Sequence, residues 1–481
     1  MHATFVRVAL AGSASLLAAC ASFAPGNPPL AKYDPTAGYR FETLQPDGNS
    51  DDLFVIVSFS GGGTRAAALA YGVLEALRDT SIVWHGRKVE LIDEVDVISS
   101  ISGGSFPAAY YALRGRKIFD EFPERFLYRS VQSDLVKLLL APTSWLKLLS
   151  PDYGRSDLAA EFYNREVFDG GTYADVISRN RRPFVILNAT DMTTGTQFPF
   201  IQDHFDLMCS DLSGVPLARA AASSSAFPGA LTPLTFKNYT GTCGYRQPAW
   251  VKLAAEDHAL RVNRARTARA ENRLSLAAEG PARPYIHLAD GGVADNVGLR
   301  GPLDAIISTN HPWSVLRMIN NQRIDKLVVI VVNAATDPEI DRDKSASIPG
   351  LVDTLTTAAT VPLSNYTADT LDLLTAAVNE INEEARLVDG CKKVALRGGA
   401  QCALNIAAPH KLDLYAVQVA FDYIASFEER KWFKNLPTTF ELPRETIDKL
   451  RAVGRRLLAE DPEFQRLIKG LNGCLAKTEA C

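Results

Sequence analysis

The chain has 481 residues, with 51 Lys and Arg against 55 Asp and Glu and a formal net charge of −4. So mild a charge gives no electrostatic case for nucleic acid as a partner. Hydrophobic residues make up 47% and charged residues 22%, the ordinary balance of a soluble globular body, and the length leaves room for roughly two to four domains.

The first element is an export signal. Arg7 supplies a positive start, and Val8 to Ala19 form an apolar run too short to span a bilayer as a permanent helix. It ends in Leu17-Ala18-Ala19-Cys20, which resembles the lipobox of bacterial lipoproteins. The resemblance implies that residues 1–19 are removed and that Cys20 becomes the lipidated first residue of a membrane-anchored cell-envelope protein. In a Gram-negative host, Ala21 after the cysteine implies outer-membrane sorting. The competing reading is an ordinary secretory signal with an incidental cysteine. Residues 20–50 follow as a tether, rich in Pro, Gly, Ala and Asn as far as Tyr39. Six further cysteines, at 209, 243, 391, 402, 474 and 481, suggest three disulfides in an exported chain. Pairing of neighbours is favoured: Cys209 with Cys243, Cys391 with Cys402, and Cys474 with Cys481. No Cys or His spacing suggests a metal site.

Leu53 to Phe59 reads as a buried strand that runs into Gly61-Gly62-Gly63, and Ala66 to Leu77 then reads as a helix. A second strand, Val95 to Ser99, leads to Ser100-Ile101-Ser102-Gly103-Gly104, and a helix begins at Phe106. Phe184 to Asn188 and Ile286 to Ala289 are further strands, the latter ending in Asp290-Gly291-Gly292. Val215 to Ala226 is predicted helical up to Pro228. Leu327 to Asn333 is the plainest strand of all. Beyond it the chain turns helical, at Val352 to Ala377 and Arg444 to Leu458, with one more strand expected at Val417 to Phe421. Strand, tight glycine turn and helix in alternation predict an α/β fold with a mostly parallel central sheet flanked by helices. The body is expected over 51–340, with 341–481 a helical C-terminal region packed on it.

Three turns could carry chemistry. Ser102, at a strand-to-helix turn with Gly103 and Gly104 behind it, is placed as a nucleophile lifted off the sheet toward a helix N-terminus. The N–H groups of Gly62 and Gly63, in the loop Gly61 to Arg65, could cradle a negative oxygen. Arg65 could hold that loop or attract anionic headgroups. Asp290 at a strand end, with two glycines after it, could point into a cleft as a base.

Strand-GGGxR-helix, strand-SxSGG-helix and strand-DGG, in that order, resemble the patatin-like phospholipase family. Asn188-Ala189-Thr190-Asp191 with Thr194-Gly195, Ser223 to Gly229, and Asp290 to Arg300 agree with it, so the resemblance covers roughly 53–333. It implies a three-layer patatin-like fold and a Ser102–Asp290 dyad that works without histidine or cofactor. It also implies an oxyanion hole at Gly61, Gly62, Gly63 and Arg65, an elbow at Gly103 and Gly104, and lipid acyl esters as substrates. Phospholipids or lysophospholipids lead. Acyl transfer to an acceptor other than water is an alternative, as is an inactive lipid-binding or scaffolding role. The chain departs from the family pattern at Ser60, Ala66 and Ser100, where Asp, Gly and Gly are usual, which leaves room for an altered hole.

Strand alternation sends His287 to the face opposite Asp290, so it is read as structural; His204, His258 and His311 have no motif around them. Two insertions are expected. One, at 119–172, holds the apolar stretch Leu135 to Leu149, read as a buried packing helix in preference to a cap dipping into lipid. The other, at about 246–283, is helical and carries Arg261, Arg264, Arg266, Arg269 and Arg273, facing either anionic lipid or solvent.

Overall fold

Every residue of the first long strand, β1 (Leu53–Phe59), is buried. A strand covered on both faces has no polar side to show, which is why it reads as one apolar run. The computed structural model describes residues 26–256, 264–277, 282–336, 346, 350, 372–384, 386–388, 390 and 412–473. Among them the other strands are β2 (Ser81–Trp84), β3 (Arg87–Glu90), β4 (Val95–Ile101), β5 (Phe184–Asp191), β6 (Gln197–Pro199), β7 (Leu234–Lys237), β8 (Tyr285–Ala289), β9 (Lys326–Asn333) and β10 (Asp413–Ala420). One eight-stranded sheet runs in the order β10-β9-β1-β4-β5-β8-β7, with β6 on β5. It is parallel from β10 to β5 and antiparallel beyond, where β8 meets β5 and β7. Val57 pairs with Ile98 on one side and Ile330 on the other, so the apolar core runs through the parallel half. This is the α/β architecture, mostly parallel and flanked by helices, that the motif order implied.

The helix after β1 (Gly63–Asp79) packs on the C-terminal helix Arg444–Glu460. Two glycines permit that approach: a Cβ on Gly72 would lie 2.3 Å from the Arg451 carbonyl oxygen, and one on Gly454 2.7 Å from that of Leu69. Arg451 also pairs with the buried Glu75 at 2.8 Å. The late strand spans Asp413–Ala420, starting earlier than its apolar core suggests, because parallel pairing with β9 continues through Asp413 and Leu414. Of the helix expected at Val352 to Ala377, residues 352–371 lie outside the described residues, while 372–384 are helical.

Two expectations are corrected. The tether reading ends at Gly26, because the segment from there on is docked. Leu30 N–H donates to the Cys209 carbonyl (2.7 Å), Tyr33 N–H to that of Cys243 (2.9 Å), and Tyr39, Phe41 and Leu44 are buried. Proline and glycine here shape an extended chain along the body, with its apolar side chains as anchors. The stretch Leu135 to Leu149 is not a buried packing helix. It forms two short helices, Val131–Leu140 and Pro142–Leu148; Leu135 and Leu138 pack on the core, while Val136, Leu140, Trp145, Leu146 and Leu149 are exposed.

In the second insertion the helices are Ala249–Glu256 and Arg264–Leu276. Arg269 lies 3.7 Å from Asp304, and Arg273 donates to Gln247 and Tyr245, so these two arginines turn to protein rather than to lipid or solvent. Arg261 and the side chains of Arg264 and Arg266 lie outside the described residues. Cys209 and Cys243 form a disulfide with a Cα separation of 5.5 Å. Cys20, Cys391, Cys402, Cys474 and Cys481 lie outside the described residues. No described helix is long and apolar enough to cross a membrane.

Candidate active site

Ser102 follows β4 directly and has φ +48°, a left-handed conformation that residues other than glycine seldom adopt. Its N–H donates to Ser224 Oγ at 2.9 Å, which holds the turn in place. Gly103 has to be glycine: a Cβ there would lie 2.1 Å from the Gly63 carbonyl oxygen. On Gly104 it would lie 2.7 Å from both Phe59 Cβ and the Ser60 carbonyl oxygen. The helix Ser105–Arg114 starts at once, so the positive end of its dipole lies at the turn.

The glycine loop lies against this elbow. Gly61 N–H donates to the Asn296 carbonyl (3.0 Å), and a Cβ on Gly61 would lie 3.3 Å from Ser102 Cβ. Gly62 (φ +133°) and Gly63 (φ +59°) turn the chain into its helix. Their two N–H groups make no hydrogen bond among the described residues. Arg65 is buried and faces no headgroup. It donates to the carbonyls of Ala334 (2.9 Å) and Leu436 (2.5 Å) and to Thr438 Oγ1 (3.1 Å), stapling the loop to the segment after β9 and to a strap at 436–441. Burial pulls its pKa down to about 10.

Asp290 follows β8. One carboxylate oxygen, Oδ2, accepts the hydrogen bond of Ser102 Oγ at 2.8 Å; the other, Oδ1, accepts Gly292 N–H at 2.7 Å. Burial pushes this carboxyl up to about 6, against the lowering effect of the Gly292 N–H and the Ser102 hydroxyl. Thr190 Oγ1 donates to the Asp290 carbonyl (2.8 Å) and accepts Ala294 N–H (3.0 Å), fixing the turn from below. Gly291 passes so near β5 that a Cβ would meet the Asn188 carbonyl oxygen at 2.2 Å. Asp295 accepts the N–H groups of Val297, Gly298 and Arg300 and so shapes the following loop.

Ser102, Asp290 and the glycine loop are therefore brought together, whereas His287 is not. It is exposed on β8 and bonded to Thr235 Oγ1 at 3.0 Å. His204 is half-buried with its ring edge-on to Phe198, His311 is buried against Trp313, and His258 lies outside the described residues. Among the described residues no three His, Cys, Asp or Glu side chains converge as a metal set.

The sequence reading gave no role to Ser224, Asn188, Thr190 or Asn296. Ser224 Oγ accepts the Ser102 N–H, donates to the Asn188 carbonyl (2.6 Å) and bonds Ser105 Oγ (2.9 Å). Asn188 Nδ2 in turn donates to Ser99 Oγ and the Ser100 carbonyl. The available signal was polarity in the wrong place, since a buried Asn or Ser at a strand or helix end must find partners. The unusual serines are accommodated: Ser60 Oγ donates to the Gly61 carbonyl and accepts Ala334 N–H, and Ser100 Oγ donates to the Ile186 carbonyl.

Strained serine, buried carboxylate and glycine loop at the ends of three strands define a serine-hydrolase-like site. The model of the patatin-like phospholipase family matches residues 57–303, just over half the chain. The chain belongs to that family. Comparison with curated protein sequences gives no match. Among solved structures the chain is similar to human GIVD cytosolic phospholipase A2 in complex with methyl gamma-linolenyl fluorophosphonate and terbium chloride. The identity is 12%, coverage is 88% of this chain and 59% of that one, and the TM-score is 0.36. It is also similar to VipD from Legionella pneumophila, at 10% identity over 92% of this chain and 71% of that one, with a TM-score of 0.28. In three matches to the human enzyme the chain spans 45–59% of that protein's length.

Proposed function

We propose that the protein is a serine acyl hydrolase that cleaves fatty acyl esters, phospholipids or lysophospholipids foremost, through a Ser102–Asp290 dyad. The observation that carries this reading is the 2.8 Å hydrogen bond from Ser102 Oγ to Asp290 Oδ2, both residues buried, beside two N–H groups without partners among the described residues. Ser102 Oγ attacks the ester carbonyl carbon while Asp290 takes the hydroxyl proton. The carbonyl oxygen becomes an oxyanion held by the N–H groups of Gly62 and Gly63, with the helix dipoles behind them. As the C–O bond breaks, Asp290 returns the proton to the leaving alkoxide, and an acyl-serine remains. A water then attacks the acyl carbon, giving its proton to Asp290, and Ser102 leaves with that proton as the free acid forms. Arg65 holds the loop through its three hydrogen bonds and takes no proton, since with a pKa of about 10 it is already charged near neutrality.

Lipidation of Cys20 and anchorage in the cell envelope, at the outer membrane in a Gram-negative host, belong to the same proposal. They rest on Leu17 to Cys20. A fluorophosphonate ester probe tests the function. It should label the wild-type protein at Ser102 and leave Ser102→Ala unlabelled. Absence of labelling on folded wild-type protein would contradict the reading.

A further inference from the structure

The helical pair Val131–Leu140 and Pro142–Leu148 leaves five large apolar side chains in water: Val136 (48% exposed), Leu140 (65%), Trp145 (56%), Leu146 (77%) and Leu149 (75%). Isolated exposed apolar residues are ordinary, but five within fourteen positions form a patch that needs a partner. We propose that this hairpin docks on a phospholipid bilayer surface and delivers the site to its substrate. The proposal rests on the acyl-hydrolase reading for its choice of substrate.

Three observations choose a bilayer over a protein. From Leu135 to Ser150 the only charged residues are Lys137 and Lys147, and they pair with Asp134 (3.3 Å) and Glu161 (2.6 Å), so the exposed apolar side chains stand among neutralised charges. Leucines and a tryptophan suit a headgroup boundary, where the leucines meet acyl chains and the indole lies at the interface. Trp145 Nε1 already donates to the Leu139 carbonyl at 3.0 Å, so its ring enters an apolar layer with no donor left bare.

The second observation is where the described chain begins. A Cβ on Gly26 would lie 2.9 Å from Arg219 Cδ, and Arg219 pairs with Asp157 at 2.8 Å, just beyond the hairpin's end. Gly26 thus lies by the helix Arg155–Glu166, whose Glu161 pairs with Lys147 of the hairpin at 2.6 Å. Six residues, 20–25, could span at most about 20 Å.

Third, the hairpin is rooted against the glycine loop. Thr439 Oγ1 donates to Gln132 Oε1 (2.5 Å), Ser133 N–H donates to Glu441, and the Thr439 carbonyl accepts Thr64 N–H at 2.8 Å. One strap thus touches both the base of the hairpin and the first turn after Gly63, so a bilayer under the hairpin lies next to the oxyanion loop.

The test uses the full chain carrying Cys20→Ser, which removes any acyl anchor, with and without Leu140→Ser, Leu146→Ser and Leu149→Ser together. Binding to vesicles of phosphatidylethanolamine and phosphatidylglycerol is measured by sedimentation, and hydrolysis of a soluble short-chain ester is measured in parallel. The triple variant should lose at least about tenfold in vesicle binding, with soluble-ester turnover within about twofold and no fall in melting temperature. Brominated lipid should quench the fluorescence of the parent chain, and Trp145→Phe should lose most of that quenching. Equal vesicle binding by parent and triple variant overturns the proposal. So does a parent chain that is dimeric without vesicles and made monomeric by the triple change, or a patch masked by the chain's own residues 8–19 until they are cleaved. If neither chain turns over the soluble ester but only the parent binds vesicles, docking stands and the hydrolase reading falls.

Discussion

The Ser102 N–H is held by Ser224 Oγ at 2.9 Å, and it is this bond that meets the backbone donor of a serine forced to φ +48°. Ser224 comes from the end of the helix Leu217–Ser224, so the elbow is gripped from an element far along the chain. Loss of that grip should change the reactivity of Ser102 more than the fold.

Ser224→Ala leaves a buried N–H without its acceptor, a loss of about 1–3 kcal/mol. Part of that strain should appear as a displaced nucleophile. We expect kcat on a short-chain ester to fall about tenfold with KM within about twofold, and probe labelling to slow in proportion. Unchanged kcat with a lowered melting temperature would make Ser224 purely structural.

Gly103 and Gly63 are in backbone contact, with 2.1 Å between a hypothetical Gly103 Cβ and the Gly63 carbonyl oxygen. Gly103→Ala must push the elbow and the oxyanion loop apart. Overpacking of this kind destabilises by roughly 1–3 kcal/mol. Turnover should fall by at least about a hundredfold, because the nucleophile and the oxyanion donors lose their register. A variant with wild-type kcat would mean that the two loops do not act together.

Asp290 works as a base only when ionised, and burial has raised its pKa from the ordinary 3.8 to about 6. The profile of kcat/KM should therefore fall as pH drops below about 6 and level off above it. Stability moves the other way. A carboxyl with a raised folded value favours the native state most below about 3.8, and that contribution is lost as pH rises through about 6. Asp290→Asn should thus lose most of its activity yet be more stable than wild type near neutrality, by up to about 3 kcal/mol. Melting temperatures of both proteins across pH 4 to 8 check the sign: the gap should open as pH rises.

The disulfide Cys209–Cys243 closes a loop with a sequence separation of 34, and both cysteines bind the docked N-terminal segment through their carbonyls. Cys243→Ser should lower stability by about 3–4 kcal/mol on loop entropy. A reductant should lower the melting temperature of the wild type but leave that of the variant nearly unchanged. Equal sensitivity in both would mean that the bridge does not form.

The strands and the three turns were legible because they depend on local sequence: a buried strand must be apolar, and a tight turn against another backbone must be glycine. Ser102, Asp290 and Gly61 to Gly63 announced themselves that way. Ser224, Asn188 and Asn296 act through long-range contacts, and a single sequence carries no sign of which distant N–H or carbonyl they meet. The segment from Gly26 to Tyr39 misled by composition, since proline and glycine mark an extended chain but not whether it is bound. Leu135 to Leu149 misled for a related reason: apolar residues at helical spacing predict a helix but not what covers it. Arg65 lay between two readings until its three acceptors, at Ala334, Leu436 and Thr438, could be seen.

The central claim is that Ser102 and Asp290 act as a pair without histidine, and one comparison tests it directly. The rate of short-chain ester hydrolysis is measured for Ser102→Ala, Asp290→Asn and His287→Ala, with thermal melting as the control for folding. Ser102→Ala should be inactive. Asp290→Asn should fall by roughly two to four orders of magnitude, the range of general-base catalysis. His287→Ala should stay within a fewfold of wild type, since that ring is exposed and bonds Thr235. A folded His287→Ala as inactive as Ser102→Ala, or a Ser102→Ala that keeps full activity, would contradict the account.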